Sequence, residues 1–167
     1  MRKAQVQTQI FIYILAILVA GLILFYGYGA IKDFITRGER LSLVNLENDL
    51  KDNVQALSTS FERVKIETLD VPGNYVKLCL LDLSKPADDF SVCRSEYNPV
   101  VCESWKDPEI EENVFLVDDE GATIKLGQGY IGDIILDNPG CFDVINSKIK
   151  IKFTGASNNK VKLEVQS

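Results

Sequence analysis

IFIYILAILVAGLILFYGYGAI, Ile10 to Ile31, runs for twenty-two residues without a charge. A hydrocarbon core of roughly 30 Å takes about 20 apolar residues in helical form, because each backbone N–H and C=O must find its partner inside the segment. The run is long enough to span a bilayer with some tilt. A cleaved secretory signal has a shorter apolar stretch, about 7 to 15 residues, closed by small residues of the A-x-A kind. Here the run passes instead through Phe25-Tyr26-Gly27-Tyr28 into Lys32-Asp33. The expectation is a retained single-pass transmembrane helix over residues 10–31, with the lipid bilayer as its partner.

Tyr13 near one end, and Phe25, Tyr26 and Tyr28 near the other, suit the two membrane interfaces. Arg2, Lys3 and the terminal amine make residues 1–9 positive, which places them in the cytoplasm by the positive-inside rule. Lys32, Arg37 and Arg40 supply as much positive charge beyond the run, so orientation needs a second argument. The cysteines provide it. Cys79, Cys93, Cys102 and Cys141 all follow the run, and an even number on one side points to an oxidising, extracytoplasmic compartment with two disulfides. Four cysteines allow three connectivities. The expected pairs are Cys93–Cys102, closing a polar loop, and Cys79–Cys141, tying two strands of one core; buried free thiols are the alternative. Zinc sites favour C-x2–4-C spacing, whereas the intervals here are 13, 8 and 38 residues and the chain has no histidine. Neither metal nor cofactor is expected.

Residues 32–167 hold all 24 acidic residues and 16 of the 18 basic ones, an acidic balance that disfavours nucleic acid as a partner. That length suffices for one compact domain. Beyond the run the apolar period becomes 3.6: Leu43, Leu50, Val54, Leu57 and Phe61 share a face, with Glu47, Asn48, Asp49, Lys51 and Asp52 on the others. This predicts an amphipathic helix over Leu41–Ser58, a stalk spanning 32–59. Gly38 is the only breaker before it, and a lone Gly costs about 1 kcal/mol without ending a helix. One long helix is therefore expected.

From Phe61 the period falls to two, and residues 60–167 read as a β-rich domain. Val64 to Glu67 and Tyr75 to Leu81, separated by Val71-Pro72-Gly73-Asn74, read as a hairpin. Asn98-Pro99 predicts a short helix over Val100–Trp105. Strand signals return at Asn113–Val117, Thr123–Leu126, Ile131–Leu136, Cys141–Ile145, Lys148–Phe153 and Lys160–Val165. The KIKIKF run alternates as a half-buried antiparallel strand does. The fold class expected is α+β: the anchor and stalk, then a small antiparallel β-sandwich or rolled sheet with disulfides.

A basic head ending in Lys3-Ala4-Gln5, a polar handful, a long apolar helix and a β-rich domain resemble archaeal type IV pilin-like proteins with a class III signal peptide. In that family a membrane peptidase cuts on the cytoplasmic side, before the apolar helix, and a Q-x-S-x-E-like stretch follows. The resemblance covers about the first 35 residues and the general layout. It implies processing between Ala4 and Gln5, with Gln5 at the first position, Gln7 where Ser is usual, and Gln9 where the acidic residue is usual. That acid pairs with a neighbouring subunit's terminal amine during assembly, whereas Gln9 offers a hydrogen bond. The resemblance also implies self-association through the N-terminal helix.

Without histidine, Ser-His-Asp and Cys-His nucleophile arrangements are impossible, and no P-loop, G-x-G-x-x-G or H-E-x-x-H occurs. No enzymatic activity and no small-molecule substrate are expected. Asp88-Asp89, Glu109-Glu111-Glu112 and Asp118-Asp119-Glu120 lack the D-x-D-x-D-G calcium pattern and read as solvated acids. Trp105 and Tyr97 offer a sugar-stacking surface or, as the plainer reading, cover for a small core. The function expected is a pilin-like or pseudopilin-like subunit of a surface filament. The alternative is a non-polymerising anchored binding or envelope accessory protein.

Overall fold

The computed structural model describes residues 3–85, 99–107, 109–138 and 140–166. It contains helices α1 (Lys3–Ser58) and α2 (Pro99–Lys106), and strands β1 (Val64–Asp70), β2 (Tyr75–Leu80), β3 (Val114–Asp118), β4 (Thr123–Lys125), β5 (Ile134–Leu136), β6 (Gly140–Asp143), β7 (Lys148–Gly155) and β8 (Val161–Gln166). The chain divides into two compact units, Met1–Arg40 and Leu41–Ser167. α1 is one uninterrupted helix through Gly38, as its composition predicts. Its stretch from Ile10 is apolar and long enough to cross a membrane.

The second unit holds the last turns of α1 and two four-stranded sheets, ordered β1-β7-β8-β5 and β4-β3-β2-β6. Their sequences explain their positions. In β7 alternate residues Ile149, Ile151 and Phe153 are buried while Lys148 and Lys150 are exposed. One face of that sheet meets the core and the other meets water. In β3 the consecutive residues Val114, Phe115, Leu116 and Val117 are all buried, because the second sheet is covered on both faces. Leu78, Leu80, Val114 and Leu116 join a large core with Leu46, Leu50, Val54 and Leu57 of α1 and the inward residues of β1, β5, β7 and β8. On its other face, Cys79, Phe115 and Val117 join Leu81 and pack with Val101 and Trp105 of α2.

Three expectations are corrected. Val64 to Glu67 and Tyr75 to Leu81 do not form a hairpin: β1 pairs with β7, whereas β2 pairs with β3 and β6. β2 buries Leu78, Cys79 and Leu80 in succession and takes an interior place in the doubly covered sheet, while β1 buries only Leu69 and sits at an edge. The Val71–Asn74 turn carries the chain between sheets, with Val71 N–H donating to the Ser147 carbonyl at 2.9 Å. There it meets the second crossing, β6 to β7, where Asn146 and Ser147 both take positive φ. That is the two-residue geometry of a type I′ turn.

The sheets are also not wholly antiparallel, since β5 runs parallel to β8. The third correction is Phe61, which is 68 % exposed. The helix stops at Ser58, so its stripe runs Leu46, Leu50, Val54 and Leu57, with Leu43 partly buried beside it. At that stop the β7 backbone closes on the helix end: Glu62 N–H donates to the Gly155 carbonyl at 2.9 Å. A Cβ on Gly155 would lie 1.9 Å from the Ser60 carbonyl oxygen, so only glycine fits.

Candidate functional site

Along α1 from Ile10 to Ile31 the large apolar side chains are exposed, from Val19 at 47 % to Phe25 at 78 %. Exposed apolar residues scattered singly are ordinary, but a contiguous surface of this extent marks contact with lipid or protein. Ala4, Gln5 and Gln9 fall in the opening turns of the same helix.

The disulfide expectations have different outcomes. Cys79 and Cys141 are bonded, and they occupy opposed register positions on β2 and β6. Their link closes a separation of 62 residues. Cys102, on α2, is disulfide-bonded as well, and no cysteine among the described residues is free. Cys93, its expected partner, lies outside the described residues, as do Tyr97, Asp88 and Asp89. Trp105 is 7 % exposed and donates its Nε1–H to the Lys85 carbonyl at 3.2 Å, so it serves as core cover.

Three buried or half-buried polar groups hold the domain together, and the sequence reading assigned none of them this work. The Asp82 side chain is fully buried. Its Oδ1 accepts from the Ser84 N–H at 3.1 Å and from the Ser84 hydroxyl, and its Oδ2 accepts from the Leu136 N–H at 3.2 Å. Lys85 donates to the Leu136 carbonyl beside it. Asn113 donates to the Gly132 carbonyl at 2.8 Å and accepts from the Ile131 N–H at 3.1 Å. These bonds satisfy groups whose burial would otherwise cost about 1–3 kcal/mol each. The D-x-S spacing of Asp82 and Ser84 is the local signal for such a turn.

Glu47 is the third. Its Oε1 accepts from Lys51 Nζ at 2.5 Å and from the Gln128 N–H at 3.2 Å, fastening α1 to the loop after β4. Burial pushes the Glu47 carboxyl upward, but the Lys51 and Gln128 hydrogen bonds outweigh it and hold the pKa below its ordinary 4.5. Gly127 approaches so closely that a Cβ there would lie 1.6 Å from a Glu47 carboxylate oxygen, at a φ of +57°.

Among the described residues no three of His, Cys, Asp and Glu are grouped so as to hold a metal ion. Glu112 pairs with Lys125 at 2.7 Å, and Asp118 caps its own turn by accepting from the Glu120 and Ala122 N–H groups at 3.1 and 2.7 Å. A cleft between Tyr130, Asp133, Asn113 and Lys160 encloses about 30 Å³, room for about one water. The Tyr130 hydroxyl donates to Asp133 at 2.8 Å. Burial, then Asp133 and Glu111, push its pKa up to about 12, so it stays protonated at neutral pH.

The arrangement therefore offers an exposed apolar helix surface and a disulfide-tied β-rich domain. Comparison with protein-family models, curated proteins and solved structures finds no match to this chain.

Proposed function

We propose that the chain is a single-pass, membrane-anchored structural protein, a pilin-like or pseudopilin-like subunit of a surface filament. Its N-terminal residues lie in the cytoplasm, Ile10–Ile31 cross the bilayer, and the β-rich domain lies outside with its two sheets stacked as a sandwich. Processing between Ala4 and Gln5 releases a subunit that self-associates through the apolar stretch of α1, with Gln9 as a polar contact. The observation that carries this reading is the unbroken apolar surface of α1 between Ile10 and Ile31, exposed on all sides. Water is a poor solvent for such a surface, and lipid or a neighbouring helix is a good one. The Cys79–Cys141 disulfide supports the outside location, since such bonds persist in oxidising compartments. A second pair, Cys93–Cys102, belongs to the same proposal.

One observation favours the second reading, a non-polymerising anchored accessory protein. Leu50 and Leu57 are 0 % and 2 % exposed within their own domain, so they are not free to pack between subunits at that level. Helix packing between subunits therefore does not use the stripe of Leu46, Leu50, Val54 and Leu57.

Intact-mass analysis of the protein from native membranes separates the two readings. A mature N-terminus at Gln5 is expected for the pilin-like subunit. An N-terminus at Met1 would remove that reading and leave the anchored accessory protein.

A further inference from the structure

The domain is acidic, yet one of its faces is not. In β7, Lys148, Lys150 and Lys152 alternate with buried residues and so share the solvent face of the β1-β7-β8-β5 sheet. The register sets Ile66 opposite Lys152, Thr68 opposite Lys150, and Lys162 of β8 opposite Thr154. Against these four lysines stand three carboxylates, Asp70, Glu164 and, just past β5, Asp137. Asp70 and Glu164 pair with Lys148 and Lys152 at 2.8 Å each, while Lys162 pairs with Asp137 at 2.7 Å and lies 3.3 Å from Glu164. The face is thus positive by one charge on a chain of net charge −6, and Lys150 is the lysine outside these ion pairs. Exposed pairs of this kind contribute about 0–1 kcal/mol and exchange readily for others.

Beside the lysines lies an apolar edge. β1 is an outermost strand, and its Val64 and Ile66 are 50 % and 52 % exposed, with Phe61 just before them. An edge strand with exposed apolar residues invites a partner. At the far end of the strands, Thr68, Asp143, Ile145, Lys148, Lys150 and Gln166 line an open groove of about 330 Å³.

The complementary surface is on the other sheet. The β3–β4 turn is held rigid by the Asp118 carboxylate, and it presents Asp119 and Glu120 exposed. We infer that the lysine-bearing face of the β1-β7-β8-β5 sheet docks the Asp119–Glu120 turn of a second copy of this chain. This rests on the self-association reading and deepens it. The two surfaces are different patches of one domain, so the contact is head-to-tail and propagates from copy to copy. Opposite charges steer the copies together and fix their register, while the Phe61, Val64 and Ile66 edge loses water.

The test uses full-length chain, half of it isotopically heavy, reconstituted in phosphatidylcholine liposomes and treated with a zero-length carbodiimide cross-linker. Mixed light–heavy links between Lys150 or Lys152 and Asp119 or Glu120 are expected. Lys150→Glu with Lys152→Glu should lower their yield about tenfold, as like charges replace complementary ones. Adding Asp119→Lys with Glu120→Lys to the same chain should restore mixed links at the swapped positions. That rescue also guards against a variant that merely misfolds. Wild-type chain without mixed links, or a yield indifferent to reversal, overturns the inference. Lysine-dependent binding to phosphatidylglycerol vesicles without mixed links also overturns it, assigning the face to lipid. Intact mass and electron microscopy of the same material keep the two readings apart. Filaments with an N-terminus at Gln5 but no mixed links sink only the docking face. Mixed links from an unprocessed, non-filamentous chain sink only the filament.

Discussion

Two stretches of α1 read alike at first glance and behave differently. Ile10–Ile31 and Leu41–Ser58 are both rich in aliphatic residues within one helix. The first exposes them all, whereas the second buries Leu46, Leu50, Val54 and Leu57 at 0–3 % exposure and leaves Asp49 and Asp52 to water. An apolar stripe at helical spacing specifies a protein core, and an apolar surface all round specifies a different solvent. The stripe is satisfied within its own domain. The surface stays exposed, on a helix long and apolar enough to cross a membrane.

The largest expected effect falls on the domain side alone. Replacing Cys79 and Cys141 together by alanine should lower the domain's stability by about 4 kcal/mol, the loop-entropy value for a separation of 62 residues. Thermal melting should fall while membrane association stays intact. Next, Leu50→Ala should cost about 2–5 kcal/mol, since the side chain is fully buried between α1 and the sheets. Its melting temperature should drop without loss from the membrane fraction. Leu22→Arg should do the reverse, adding about 2.5–3.5 kcal/mol to insertion at a helix centre. Fractionation should show the chain leaving the membrane while the domain melts as before. If Leu22→Arg destabilised the domain as Leu50→Ala does, the distinction between the stretches would collapse.

The smallest effect concerns pH. Because the folded-state pKa of Glu47 is lowered, its stabilisation is complete above the ordinary value of 4.5 and is lost as pH falls through the folded value. Denaturant melts between pH 7 and pH 3 should show this acid-side loss. Glu47→Gln should flatten it and cost about 1 kcal/mol at neutral pH.

What the sequence disclosed follows from what periodicity encodes. The KIKIKF alternation identified β7 and its wet face, and the 3.6 period identified the stripe of α1, because each pattern records which side of an element is buried. Patterns do not record partners. Nothing in Val64–Glu67 says that its neighbour is β7, with partners 84 to 90 residues away, and the tempting turn at Pro72-Gly73 is in fact a crossing between sheets. Phe61 continues the helical count by three and four, but the helix ends before it, so backbone geometry overrode spacing. Asp82, Asn113 and Glu47 look like ordinary surface polar residues in the sequence. Their roles depend on main-chain groups of Leu136, Gly132 and Gln128 brought to them by the fold. Of the expected functional residues, Cys79 and Cys141 were found through their parity, and Ala4, Gln5 and Gln9 rest on resemblance alone.

The difference between the two stretches is best measured by spin-label accessibility in the reconstituted full-length chain. A nitroxide at Leu22 should be relaxed by dissolved oxygen and shielded from a water-soluble nickel complex, while one at the exposed position Gln55 should show the opposite preference. A nitroxide at Leu22 as open to nickel as that at Gln55 would contradict the membrane anchor and everything built on it.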